Sequence, residues 1–114
     1  MLVTIVALLA GCVSTPPPRS ALDMAGNAIA EARALGAQDY APVELSRARH
    51  RLAAAEDAYL QRDYDVAERN AAQAVLEAQL AQARSRAATL RERVSQQIAE
   101  NNRLRLELVG EGDL

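Results

Sequence analysis

The chain has 114 residues and a formal net charge of −2, and half of its residues are hydrophobic. Twenty-five residues are Ala, three are Tyr, and Phe and Trp are absent. Ala is the best helix former but buries little apolar surface, so this composition predicts one small all-α domain with closely packed helices. With one His and one Cys, a His-based metal site or a catalytic triad would need residues from another chain. We therefore expect no enzyme, no cofactor and no metal.

The N-terminal segment resembles the lipobox of bacterial lipoproteins. An apolar run from Leu2 to Ala10 is followed by Gly11 and by Cys12, the only cysteine. The resemblance implies a signal peptide over residues 1–11, cleavage before Cys12 and acylation of that residue with chains such as palmitate. The apolar run is too short to span a membrane, which takes about 20 residues. Residues 1–11 contain no Lys or Arg, so an upstream start codon and a plain apolar segment remain alternatives.

Residues 12–20 are expected to form an extended tether, because they include the run Pro16-Pro17-Pro18. In lipoproteins of enteric type, Asp after the cysteine marks retention in the inner membrane. Val13 occupies that position here. The resemblance therefore implies a lipid-anchored protein on the periplasmic face of the outer membrane, within the cell envelope.

Two short helices are predicted after the tether. Ser20 is expected to cap the first, and Gly36 is expected to end it. Residues 36–42 are expected to form a loop. Pro42 suits the first turn of the second helix, as does the acidic Glu44. The first helix has an apolar stripe at Leu22, Ala25, Ile29 and Ala32, and the second has one at Leu45, Ala48, Leu52, Ala55 and Tyr59.

The third predicted helix is much longer than the first two. Asp63 is a good N-cap, and no Gly or Pro occurs from Tyr64 to Leu108, which allows a helix of about 67 Å. The first two helices can cover it only to about Arg84. We therefore predict a bundle over residues 21–84, a coiled-coil-like extension over 85–108 and a flexible acidic tail over 109–114.

A second apolar pattern follows the third helix with alternating spacings of four and three. Its positions are Leu76, Leu80, Ala83, Ala87, Leu90, Val94, Gln97, Asn101, Leu104 and Leu108. This is a heptad pattern, in which Asn101 takes a core position that can fix register and oligomeric state. An isolated helix of this kind is marginal in water, so the pattern calls for a partner helix.

Charges flank this heptad pattern unevenly. Residues 84–105 carry six Arg and two Glu, whereas residues 20–80 carry ten acidic residues and six Arg. In a parallel homodimer Glu100 would attract Arg105 of the other chain, while Arg86 would repel Arg91. An acidic partner helix would fit at least as well. The candidate partner-binding residues are Arg84, Arg86, Leu90, Arg91, Arg93, Val94, Asn101, Leu104, Arg105 and Leu108.

The middle of the chain resembles an alanine-rich family of bacterial envelope proteins catalogued as domain of unknown function 4398. The resemblance runs from Ala30 to Ala78 and is most specific at Tyr40-Ala41-Pro42, where the second predicted helix starts. It implies a helical envelope lipoprotein and supplies no catalytic residue. Some members carry a peptidoglycan-binding OmpA-like domain after the helical part. The sequence up to Leu114 contains none, so direct peptidoglycan binding is not expected of it.

The sequence thus predicts an all-α fold: a short antiparallel hairpin or three-helix bundle with a long C-terminal helix of coiled-coil character. The favoured function is a membrane-anchored structural or adaptor lipoprotein that contacts an envelope protein or the cell wall through the third helix. The alternative is a self-associating coiled-coil lipoprotein without another partner. Nucleic-acid binding in the cytoplasm is a distant alternative that requires the lipobox to be false; otherwise no nucleic acid is expected.

Overall fold

The computed structural model describes residues 19–112, which form four α-helices joined by short turns. These are α1 (Arg19–Ala34), α2 (Ala37–Tyr40), α3 (Pro42–Leu60) and α4 (Tyr64–Gly112). No strand occurs in this part of the chain, so the predicted all-α fold with a long C-terminal helix is confirmed. Cys12 and most of the predicted tether lie outside the described residues.

The three long helices form a bundle in which α1 and α4 run parallel and α3 runs antiparallel to both. The order of the cross-helix hydrogen bonds shows this directly. Gln82 on α4 donates to the backbone oxygen of Ala28 on α1 at 3.0 Å, and Arg86, one turn later, approaches Glu31, one turn later on α1. On α3, by contrast, Arg51 lies 3.5 Å from Asn70, close to the turn that starts α4.

Ala side chains make up nearly all of the core. Within residues 19–112 the buried hydrophobic residues other than Ala are Ile29 and Leu45, and α4 contributes only Ala to the hydrophobic core, at positions 67, 71, 74, 78 and 81. Leu52 is half-buried and packs against both core clusters, one at each end of the bundle. Small side chains allow the helix axes to approach closely, but each buries little apolar area. The bundle is therefore close-packed with a core of low volume.

The connection between α1 and α3 differs from the predicted loop, because it contains the single-turn helix α2. Gly36 adopts a left-handed conformation (φ 81°), ends α1 as predicted and starts α2. A Cβ at this position would lie 3.2 Å from the Tyr40 ring. Pro42 then occupies the first turn of α3, as predicted. The four residues of α2 escaped prediction because a single turn gives no periodic signal.

The turn between α3 and α4 is a tight Schellman motif. The N–H of Arg62 donates to the oxygen of Tyr59 at 3.0 Å, and that of Asp63 donates to the oxygen of Ala58 at 2.9 Å. Arg62 is left-handed (φ 61°), at the position where Gly is usual. Asp63 caps α4 as predicted, since its Oδ1 accepts a hydrogen bond from the N–H of Val66 at 3.4 Å.

Three predicted boundaries are wrong. Ser20 lies within α1 and cannot be its N-cap, because Arg19 is already helical. The bundle covers α4 past Arg84: Ser85 is fully buried, and Tyr40 reaches Glu92. Finally, α4 extends to Gly112, so residues 109–112 are helical rather than a flexible tail. Isolated Gly residues near a helix end lower helix propensity without forbidding the helix.

Candidate interaction surface

Helix α4 carries two apolar faces on opposite sides. The inner face packs on α1 and α3 and consists of the five buried Ala residues together with Ser85. The outer stripe is the heptad pattern of the sequence, from Leu76 to Leu108. Because each residue advances an α-helix by about 100°, Leu76 and Ala78 point in nearly opposite directions. The other residues of the outer stripe beside the bundle likewise point away from the buried Ala residues. The bundle therefore leaves the outer stripe uncovered.

The outer stripe is exposed along its whole length except at Ala87, which is half-buried. Leu76 is 64% exposed beside the bundle, and Leu108 is 71% exposed near the end of α4. Large exposed side chains between them are Leu80, Leu90, Val94 and Leu104, and Ile98 adjoins the stripe. Contiguous exposed apolar side chains make the outer stripe a candidate interaction surface.

Two of the predicted partner-binding residues form ion pairs within the bundle. Arg84 forms an ion pair with Glu44 of α3, whose side chain is only 5% exposed. Arg86 lies on the other side of α4, 3.5 Å from Glu31 of α1. These ion pairs tie α4 to α3 and to α1 respectively. Sequence spacing along one helix could not reveal them, because both acidic partners lie on other helices.

The other predicted residues lie on the outward side of α4 and are exposed. They are Leu90, Arg91, Arg93, Val94, Asn101, Leu104, Arg105 and Leu108. Arg91, Arg93 and Arg105 form no ion pair within residues 19–112. Arg103 is on the opposite side of the helix and pairs with Glu100 at 2.8 Å and with Glu107 at 3.7 Å.

The bundle ends in a polar contact that the sequence did not predict. The hydroxyl of Tyr40, in α2, donates to Oε2 of Glu92 at 2.8 Å. This hydrogen bond, together with the negative charge of Glu92, raises the pKa of Tyr40 above its ordinary value of 10.0. Beyond Glu92 none of the helices described for residues 19–112 accompanies α4, so its last 20 residues, about 30 Å, project from these helices.

The remaining polar residues of residues 19–112 lie mostly on exposed surfaces. His50 is exposed on α3, as are the acidic residues around the α3–α4 turn. Within residues 19–112, no group of three or more His, Cys, Asp or Glu side chains could hold a metal ion. A groove of about 810 Å³ between α1 and α3 is open to solvent and is lined by Asp23, Glu56 and Tyr59 among others.

Comparison with known sequences identifies the family. The sequence model of the family Domain of unknown function (DUF4398) matches residues 20–97, well over half of the chain. The chain belongs to the DUF4398 family. The match includes α1 from Ser20, all of α2 and α3, and α4 as far as Gln97, further in both directions than the resemblance seen in the sequence. Searches of curated proteins and of solved structures each found no match.

The family match divides the outer stripe. Leu76 to Gln97 lie inside the matched region, whereas Asn101, Leu104 and Leu108 lie beyond it. The family domain therefore includes the bundle and the first part of the projecting helix. Among the described helices, none is both long enough and apolar enough to cross a membrane.

Proposed function

We propose that this chain is a non-catalytic structural or adaptor lipoprotein of the bacterial envelope that binds another α-helix through the outer stripe of α4. In this proposal Cys12 carries the lipid and holds the protein at the periplasmic face of the outer membrane. The bundle supports α4, and the projecting part of α4 reaches an envelope protein or the cell wall.

The observation that carries the proposal is the position of the outer stripe on the side of α4 opposite the bundle. A helix that is apolar only toward its own bundle needs no further partner. Here the second apolar face runs for about 48 Å, from Leu76 to Leu108, and continues past the end of the bundle. Burying these side chains against a partner helix is favourable, since apolar surface is removed from water.

Lipid anchoring is tested by replacing Cys12 with Ser. Acylation adds about 0.8 kcal/mol of membrane affinity per buried CH₂, and stable anchoring takes more than one chain. We therefore expect Cys12→Ser to abolish labelling with a fatty-acid probe and to release nearly all of the protein from membranes. If the variant stays in the membrane fraction as the parent does, the lipoprotein assignment is wrong.

The binding surface is tested by photo-crosslinking in living cells. A photoreactive residue at Leu90, Val94 or Leu104 should capture a specific helical protein that mass spectrometry can identify. The same residue at Leu106, which is 74% exposed and lies off the stripe, is the matched control. Equal capture from all four positions, or capture from none, would contradict a helix-binding role for the outer stripe.

A further inference from the structure

We infer that the helix covering the outer stripe is α4 of a second copy of this chain, in a parallel, in-register coiled coil in which Asn101 faces Asn101. This inference rests on the proposed helix-binding role of the outer stripe and names a second copy as the helix bound there, so that the paired projecting helices, rather than a single one, would reach the envelope protein or the cell wall. It draws on three observations: the position of the stripe, the polar residues within it and the charges beside it.

The position of the stripe permits a symmetric pair. Helices α1 and α3 pack on the inner face of α4, so two copies can meet through their outer stripes with both bundles on the outside. The strip is about 48 Å long and a helix is about 10 Å wide. The product of these two lengths is roughly 500 Å² for each copy. Side chains that protrude from the helix increase the buried area, which brings it to the order of the 800 Å² that each partner contributes to a stable interface.

The two polar core residues of the outer stripe each meet the same residue of the second copy only when the helices are parallel and in register. In an in-register parallel coiled coil each core residue meets its own counterpart, so Asn101 meets Asn101 and Gln97 meets Gln97. Amide side chains can donate and accept, so both pairs can form hydrogen bonds across the interface. A single Asn at this class of core position is an established device for fixing register and oligomeric state.

Two antiparallel alignments each leave one set of polar residues poorly matched. Centring the overlap on residues 95 and 96 brings Arg93 near Glu100, which is favourable, but sets Asn101 against Leu90 and Gln97 against Val94, so no core amide meets another amide. Sliding the helices until Asn101 meets Gln97 pairs the amides but places Glu100 beside Glu100 of the second copy. The same shift places Arg91 beside Arg105, and these like charges outnumber the attractive contacts between Arg93 and Glu107.

The structure also weakens the main electrostatic objection to a parallel pair. From the sequence, Arg86 would repel Arg91 of the second copy. In the folded bundle the Arg86 guanidinium lies 3.5 Å from Glu31 of α1, an exposed ion pair that offsets part of its charge. Arg103 contacts Oε1 of Glu100, which leaves Oε2 of Glu100 available to Arg105 of the second copy.

Sedimentation of the full chain carrying Cys12→Ser tests the dimer. We expect a dimer at micromolar concentration that Leu104→Glu weakens at least tenfold, since the charge would face its own copy in the core. Leu106→Glu is the matched control, because Leu106 lies off the stripe, and it should leave the dimer intact. Both positions lie beyond the bundle, so circular dichroism should show folded protein in each case. A monomeric parent, or a dimer that Leu104→Glu leaves unchanged, would overturn the inference.

Disulfide formation tests the orientation. Cysteine at position 108 in the Cys12→Ser background should crosslink to its counterpart, because facing core positions meet the Cα separation of about 4.4–6.8 Å that a disulfide needs. In either antiparallel alignment the two cysteines would be more than about 25 Å apart. Leu106→Cys is the control and should crosslink far more slowly. A dimer in which Leu108→Cys forms no disulfide would rule out the parallel arrangement.

The role of Asn101 is tested by Asn101→Leu, with Asn102→Leu as the neighbouring control outside the core. Asn101→Leu should lower the dissociation constant and produce species larger than a dimer, because the amide that fixes the stoichiometry is gone. If the Asn101→Leu variant sediments as a dimer alone, without larger species, this role of Asn101 is wrong.

The crosslinking experiment in cells separates failure of this inference from failure of the proposed function. If the parent is monomeric and Leu90 or Val94 captures a different envelope protein, the second copy is wrong and the helix-binding stripe stands. If the parent is monomeric and nothing is captured, both are wrong.

Discussion

Arg84 of α4 forms an ion pair with Glu44 of α3, and the Glu44 carboxylate is almost entirely buried although no apolar pattern marked it for the core. The two residues are 40 positions apart in the sequence. The ion pair compensates a charge that would otherwise be costly to bury, and it lies on the side of α4 that faces α3.

Removing Arg84 should therefore destabilise the bundle. We expect Arg84→Met to lower the free energy of unfolding by about 2 kcal/mol, because it leaves a buried carboxylate without its charged partner. The double variant Glu44→Met with Arg84→Met should recover much of this loss, since no buried charge remains. Urea unfolding followed by circular dichroism measures both. Arg49→Met, on the exposed side of α3, is the control; an equal loss there would exclude a specific role for the pair.

Leu52 is the side chain that links the two clusters of the core. We expect Leu52→Asp to destabilise the bundle by about 3 kcal/mol or more, because it removes apolar contacts and places a charge among Ala residues. Circular dichroism should show a large loss of helix and of cooperative melting. Leu106→Asp, the same change at an exposed position, should melt with the parent. Unchanged melting of Leu52→Asp would contradict the packing of α3 against α1 and α4.

Because Arg62 is left-handed, replacing it with Gly should have the opposite effect on stability from replacing an ordinary helical Arg with Gly. Arg62→Gly should stabilise the bundle by about 1 kcal/mol, because a side chain is disfavoured in the left-handed region and Gly is not. Arg69→Gly, the same substitution inside α4, should destabilise it by about 1 kcal/mol. Thermal melts of the two variants should shift in opposite directions. A lower melting temperature for Arg62→Gly would show that the Schellman turn does not form as described.

These features show what the sequence could predict. Helix periodicity and the caps at Gly36, Pro42 and Asp63 predicted the order of the helices, because those signals are local. The ion pairs of Arg84 and Arg86 depend on how α4 is rotated against its neighbours, which spacing within one helix does not specify. The assignment of both residues to a partner was therefore a reasonable interpretation of an exposed basic flank, and the folded bundle provides acidic residues for both.

The Tyr40–Glu92 hydrogen bond should make the stability of the bundle depend on pH in the alkaline range. The pKa of Tyr40 is raised above 10.0 in the folded state, so its contribution to stability is complete below about pH 10 and is lost as the pH rises through the folded-state value. The difference in melting temperature between the parent and Tyr40→Phe should therefore shrink as pH rises from 9 toward 11. Ultraviolet titration should show one tyrosine that ionises late. A difference that stays constant over this range would mean that the Glu92 contact does not form.

The last prediction concerns the length of α4 that the bundle needs. A chain truncated after Arg93 keeps Ser85, the Arg86–Glu31 pair and the Tyr40–Glu92 hydrogen bond, whereas a chain truncated after Arg84 loses all three. We expect the shorter chain to be less stable than the longer one by at least about 2 kcal/mol, from lost hydrogen bonds and half-buried apolar surface. Comparing the two truncated chains with each other limits any contribution from self-association, because both lack Asn101, Leu104 and Leu108 of the outer stripe. Equal unfolding midpoints would mean that the bundle ends at Arg84, and that the contacts of α2 with α4 contribute nothing to its stability.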